Sequence, residues 1–79
     1  MAGTYSELLQ DRRWQRKRLL IFQRDRWRCQ AAECPDPDRL EIPLHVHHLR
    51  YLTATPPWDY PDELLVAWCK ICHDAAYRR

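Results

Sequence analysis

Glycine occurs once in the 79 residues and asparagine not at all. With so little glycine, no polar low-complexity tract and no internal repeat, the chain does not have the composition of a disordered segment. Long apolar runs are missing as well. None approaches the ~20 residues a membrane span needs, and no apolar stretch of the secretory kind follows Met1, so the expected setting is cytoplasmic, without a membrane. The chain also lacks the length for a large core. A domain this size buries only about 60% of its unfolded surface, so a single domain over residues 1–79 needs a staple.

What is present supplies one. Four Trp and four Tyr offer large buried area, and there are four Cys. Thiols stay reduced in the cytoplasm, where four Cys in a small chain point to metal rather than disulfides. Cys29 and Cys34 are separated by four residues and Cys69 and Cys72 by two, with thirty-four between the pairs. Two short loops of this kind turn four thiolates towards one tetrahedral centre, the pattern of a structural Zn²⁺ site. Two disulfides or buried free thiols are the rival readings.

Charge is unevenly spread. Residues 1–28 carry eight basic side chains against three acids, a balance of +5, whereas residues 29–66 carry two against seven, a balance of −5. A basic segment followed by an acidic middle fits a face that meets a polyanion such as DNA; the plainer reading is a solvated, Arg-rich helix.

Thr4 with Glu7 has the form of a capping box, starting a short helix through Leu8 and Leu9. Asp11 can cap a longer helix over Arg12–Arg24, with Trp14, Leu19, Leu20, Ile21 and Phe22 as its apolar residues. Leu40, Ile42, Leu44 and Val46 alternate with Glu41, Pro43, His45 and His47, the period of a half-buried strand that is an edge or is bulged at Pro43. Residues 49–63 read as a loop anchored by Tyr51, Trp58 and Tyr60. Leu64–Trp68 is a candidate second strand, and Lys70–Arg79 fits a final helix. Trp14 and Trp27 read as core aromatics.

All four His come late: His45, His47 and His48 at the strand end, and His73 directly after Cys72. Singly, each is more often structural than catalytic. Together, a strand end and a helix turn pinned by Cys72 can face each other and gather imidazoles around a second metal.

Trp14, Arg18, Arg24-Asp25, Cys29 and Cys34, followed by Val46-His47-His48-Leu49 with Tyr51, by residues 57–65 and by Cys69-Lys70-Ile71-Cys72-His73, make the chain resemble the HNH endonuclease family over nearly its whole length. The resemblance implies a small α+β zinc-bound domain: a basic helical segment (1–28), then a ββα-metal, treble-clef-like core (29–79). It implies that His47 and His73 bind a catalytic divalent cation (Mg²⁺, Mn²⁺, Ni²⁺ or Zn²⁺). His48 would be the general base for water, and Cys29, Cys34, Cys69 and Cys72 would hold the structural zinc. Arg12, Arg16, Arg24 and Arg28 are candidate phosphate contacts, and His45 is a further phosphate candidate or a surface residue.

Two positions depart from the family pattern. Leu64 stands where the family has its Asn, with Asp62 and Glu63 nearby as substitutes, and Tyr77 stands where many relatives place another His. The expected function is hydrolysis of DNA phosphodiester bonds with low sequence specificity. The alternatives are an inactive zinc module that binds nucleic acid or a protein partner, and a purely structural zinc knuckle.

Overall fold

A computed structural model of the chain describes residues 4–38 and 41–76. Its elements, in order, are helix α1 (Tyr5–Leu8), helix α2 (Arg12–Arg24), strand β1 (Leu44–His48), 3₁₀ turns at Pro57–Asp59 and Asp62–Leu64, strand β2 (Leu65–Cys69) and helix α3 (Lys70–Ala76). The fold is α+β with a two-stranded antiparallel sheet.

Both N-terminal helices begin where a side chain can cap them. The Thr4 hydroxyl accepts the Glu7 N–H at 3.3 Å, and the Asp11 carboxylate accepts the Arg13 N–H at 2.8 Å. The Glu7 N–H is shared with the Thr4 carbonyl at 3.0 Å, whereas Asp11 satisfies a donor at the open end of its helix, a cap worth about 1 kcal/mol. Helix α2 buries Trp14, Ile21 and Phe22, which fall on one side of a 3.6-residue period. Leu19 and Leu20, also apolar, turn outward and are more than half exposed.

The chain leaves α2 through an unusual bend. Arg26 and Trp27 both have positive φ, 58° and 57°, a region that costs roughly 1–2 kcal/mol per residue without glycine. Trp27, expected in the core, is half exposed and packs only one side on Phe22, at 5.2 Å between ring centres. Ala67 holds the bend in place from both of its backbone groups. Its N–H donates to the Asp25 carboxylate at 2.8 Å, and its carbonyl accepts the Gln30 N–H at 2.8 Å. The segment after α2 is thereby laid along the outer edge of β2, which covers that edge and delivers Cys29 beside the strand.

In the sheet, Leu44, Val46 and His48 pair with Cys69, Ala67 and Leu65 on the face towards α2, while His45 and His47 pair with Trp68 and Val66 on the other. The expected alternation from residue 40 becomes strand only at Leu44. Pro43 has no N–H for a ladder, and its carbonyl accepts the Lys70 N–H at 2.8 Å; Leu40 lies outside the described residues. At the far end the Leu49 N–H bonds the Leu64 carbonyl at 2.8 Å.

The core joins Trp14, Ile21 and Phe22 of α2 to Val46, Leu65, Ala67 and the fully buried Tyr60. Tyr60 anchors the long loop as expected, its hydroxyl accepting the Leu52 N–H at 2.8 Å. Tyr51 is 56% exposed, with its ring lying over His48 at 4.9 Å. Leu64 packs against the core, and the loop is tied to α2 by the Lys17–Asp62 ion pair and by Arg24, which donates to the Asp62 carbonyl at 2.7 Å. Among the described residues, no helix is long and apolar enough to cross a membrane.

Candidate functional site

The four Cys are brought together from two ends of the chain. Cys29 and Cys34 stand on the turn held by the Cys29 N–H to the Pro37 carbonyl and the Cys34 N–H to the Ala31 carbonyl, each 3.1 Å. Cys69 ends β2 and Cys72 sits in the first turn of α3. All four are free thiols whose sulfurs lie within 4.8 Å of one another, with Cys34 and Cys69 at 4.0 Å. Zinc–sulfur bonds of about 2.3 Å at tetrahedral angles separate neighbouring sulfurs by about 3.8 Å, so the group fits one such ion. Burial raises Cys29, and burial with the crowding of neighbouring sulfurs raises Cys72 further. At Cys69 burial also pushes upward, but the Cys72 N–H and the adjacent thiols outweigh it and the group is lowered. Four thiols this close ionise together only beside a cation, so the cluster is chemically matched to a metal.

Strand β1 sends its histidines to both sides of the sheet. On the outer face His47 lies flat on Trp68, with ring centres 3.9 Å apart and planes 4° from parallel. Helix α3 sets His73 against this face. Its ring is 5.4 Å from His47 at 86°, and 5.3 Å from His45 at 17°. An imidazole lone pair lies in the ring plane, so two rings share an ion only where their planes cross. The planes of His47 and His73 cross nearly at right angles, and their ring centres are spaced close to the ~5 Å expected for two imidazoles bound about 2.1 Å from one ion. Burial, and then the His73 charge, lowers both His45 and His47, favouring the neutral form that ligates metals.

His48 points the other way. It is 8% exposed, and its Nε2 is 2.9 Å from the Tyr5 hydroxyl. Trp14 (5.7 Å, 25°) and Tyr51 (4.9 Å, 12°) both lie nearly parallel to its ring, and Tyr60 meets it edge-on. Burial above all, then His47 and His73, pushes its pKa down to about 4. Adjacent in sequence, His47 and His48 thus leave the strand on opposite faces. A cleft of about 560 Å³ nevertheless reaches both sides, lined among others by Tyr5, Arg18, His45, His48, Tyr51 and His73.

The chain matches no family model, no curated protein and no solved structure. The site's chemistry therefore stands on its own geometry.

The four arginines singled out as phosphate contacts separate into two pairs. Arg12 and Arg16 are exposed on α2. Arg28 is paired with Asp38. Arg24 donates to Asp25 at 2.8 and 3.0 Å, to the Asp62 carbonyl, and to the Leu65 carbonyl at 2.6 Å, so its guanidinium is taken up within the fold. Asp62, weighed as a stand-in for the family's Asn, is paired with Lys17, and Tyr77 lies outside the described residues.

Sequence reasoning missed Tyr5, whose partner is 43 residues away, and no local pattern could have shown it. It also missed Arg18 as a cleft residue, although Arg18 follows Trp14 by one helical turn and so shares its side of α2. His45, read as phosphate contact or surface residue, is half-buried against His73.

Proposed function

We propose that the chain is a metal-dependent endonuclease of the HNH type, hydrolysing DNA phosphodiester bonds with low sequence specificity and stapled by one structural zinc at Cys29, Cys34, Cys69 and Cys72. The observation that carries this reading is the right-angled meeting of His47 and His73 beside a cleft that His48 also lines. The order strand, long loop, strand, helix, with the first Cys pair laid against β2, supports a ββα-metal core.

His47 and His73 would hold the divalent cation (Mg²⁺, Mn²⁺, Ni²⁺ or Zn²⁺), which when bound offsets charge on the scissile phosphate and the leaving 3′ oxygen. His48 is neutral at pH 7. In the tautomer whose Nε2–H donates to the Tyr5 hydroxyl, 2.9 Å away, Nδ1 keeps the lone pair and would accept the proton of the attacking water. A base of pKa about 4 holds that proton weakly, so its contribution belongs at the lower end of the usual range of about 10²–10⁴-fold. Arg12 and Arg16 meet phosphates without reading sequence.

A second reading, an inactive zinc module binding nucleic acid or a protein partner, is favoured by the burial of His48 and by Leu64 at the Asn position. Nicking of supercoiled plasmid with each cation in turn, beside His48→Ala, separates the two. The nuclease reading expects cleavage with at least one cation and a fall of about a hundredfold in the variant. His47→Ala and His73→Ala should be partly rescued by more cation. If DNA binds but no cation supports cleavage, the second reading replaces the first.

A further inference from the structure

The rings of Trp14, His48 and Tyr51 form a column that runs from the core to the surface. Trp14 at its inner end is buried, His48 is nearly so, and Tyr51 at its outer end is 56% exposed while still lying over His48 at 4.9 Å and 12°. An aromatic ring held flat by a rigid neighbour, with much of its surface in solvent, can take a further flat ring at little entropic cost. The same cleft is lined by the Arg18 guanidinium and by the imidazoles of His45 and His73. Its volume of about 560 Å³ falls within the about 300–1,000 Å³ of small-ligand pockets. An aromatic shelf beside a guanidinium and imidazole donors fits a nucleobase with its phosphate.

Resting on the nucleic-acid reading above, we infer that the cleft accepts an unpaired nucleotide, with its base stacked on Tyr51 as the fourth ring of the column and its phosphate towards Arg18 and His45. Bases inside a duplex have both faces covered by their neighbours. A base reaches Tyr51 only from a single strand or when turned out of the helix. The preferred substrate is therefore single-stranded or locally unpaired nucleic acid, and Tyr51 is the residue that sets this preference.

Fluorescence anisotropy with zinc-loaded protein and no added catalytic cation tests the inference apart from cleavage. The probes are labelled single-stranded DNA, single-stranded RNA and duplex DNA of equal length. The wild type should bind a single strand more tightly than duplex. Tyr51→Ala should weaken single-strand binding about tenfold and leave duplex binding unchanged, while Tyr51→Phe, which keeps the ring, should bind as the wild type does. Tight binding of both DNA and RNA single strands supports the unpaired nucleotide as the ligand, and preference for one assigns the sugar. Equal losses on single strand and duplex, or none, overturn the inference. If duplex binding still depends on Arg12 and Arg16 in that case, the nucleic-acid reading survives it. If neither form binds, both fall.

Discussion

Arg24→Ala should cost the fold about 2–3 kcal/mol, although the side chain is 39% exposed. Its guanidinium fastens the end of α2 to the edge of β2 through the carbonyls of Leu65 and Asp62 and through the Asp25 carboxylate. The Leu65 bond is the sheltered one, and removing it leaves a strand-edge carbonyl unsatisfied, about 1–2 kcal/mol. The Asp25 pair is partly screened by solvent, so its share stays below about 1 kcal/mol. In a domain of this size each 1 kcal/mol moves Tm by roughly 4–8 °C, which gives a fall of about 10–20 °C. Melting followed by circular dichroism at fixed zinc reads this directly. Arg16→Ala, on an exposed position of the same helix, should stay within about 0.5 kcal/mol of the wild type. If Arg24→Ala melts like the wild type but loses DNA affinity, the guanidinium serves phosphate and the structural assignment is wrong.

Purified protein should hold one zinc tightly, and chelation or Cys72→Ser should abolish the aromatic near-ultraviolet signal, since apparent zinc-binding energies of about 10–16 kcal/mol exceed what so small a core can supply. Folded, reduced protein without zinc would refute this. A pH dependence follows from Asp25. Burial pushes its carboxyl up, but Arg24 and the Ala67 N–H outweigh burial and hold it below its ordinary value. Its contribution is therefore present above the unfolded pKa of about 3.9 and is lost as pH falls through the lower folded value. Asp25→Asn should lower stability at pH 7 and show a shallower loss on acidification below about pH 4; equal acid slopes in variant and wild type would contradict the argument.

Features set by near neighbours in sequence were legible beforehand. The caps at Thr4 and Asp11, the span of α2, the spacing of the Cys pairs and the phase of β1 at Leu44 and Val46 all depend on residues within about one helical turn or strand pair. Features set by distant partners were not. Arg24 reads as a surface cation until the Leu65 carbonyl, 41 residues away, is placed beside it. His48 reads as a base for water from its place in the motif, but the aromatic seat that Tyr5, Trp14 and Tyr51 build for it depends on partners as far as 43 residues away. Leu19 and Leu20 are apolar, but the 3.6-residue period already placed them away from Trp14 and Ile21.

The alternation in β1 has a consequence for how mutations would act at a distance. Three of its five residues are histidine, so its pattern is nearly blind to a shift of one place. Only Leu44 and Val46, opposite Cys69 and Ala67, mark which side is inward. A slip by one residue would exchange the solvent-side and core-side imidazoles. Pro43 guards against that slip, because its carbonyl is committed to Lys70 and it cannot donate to a longer ladder. A substitution there would touch no imidazole, yet it would scramble all three of those on the strand, and its mark would be conformational heterogeneity rather than simple loss of stability.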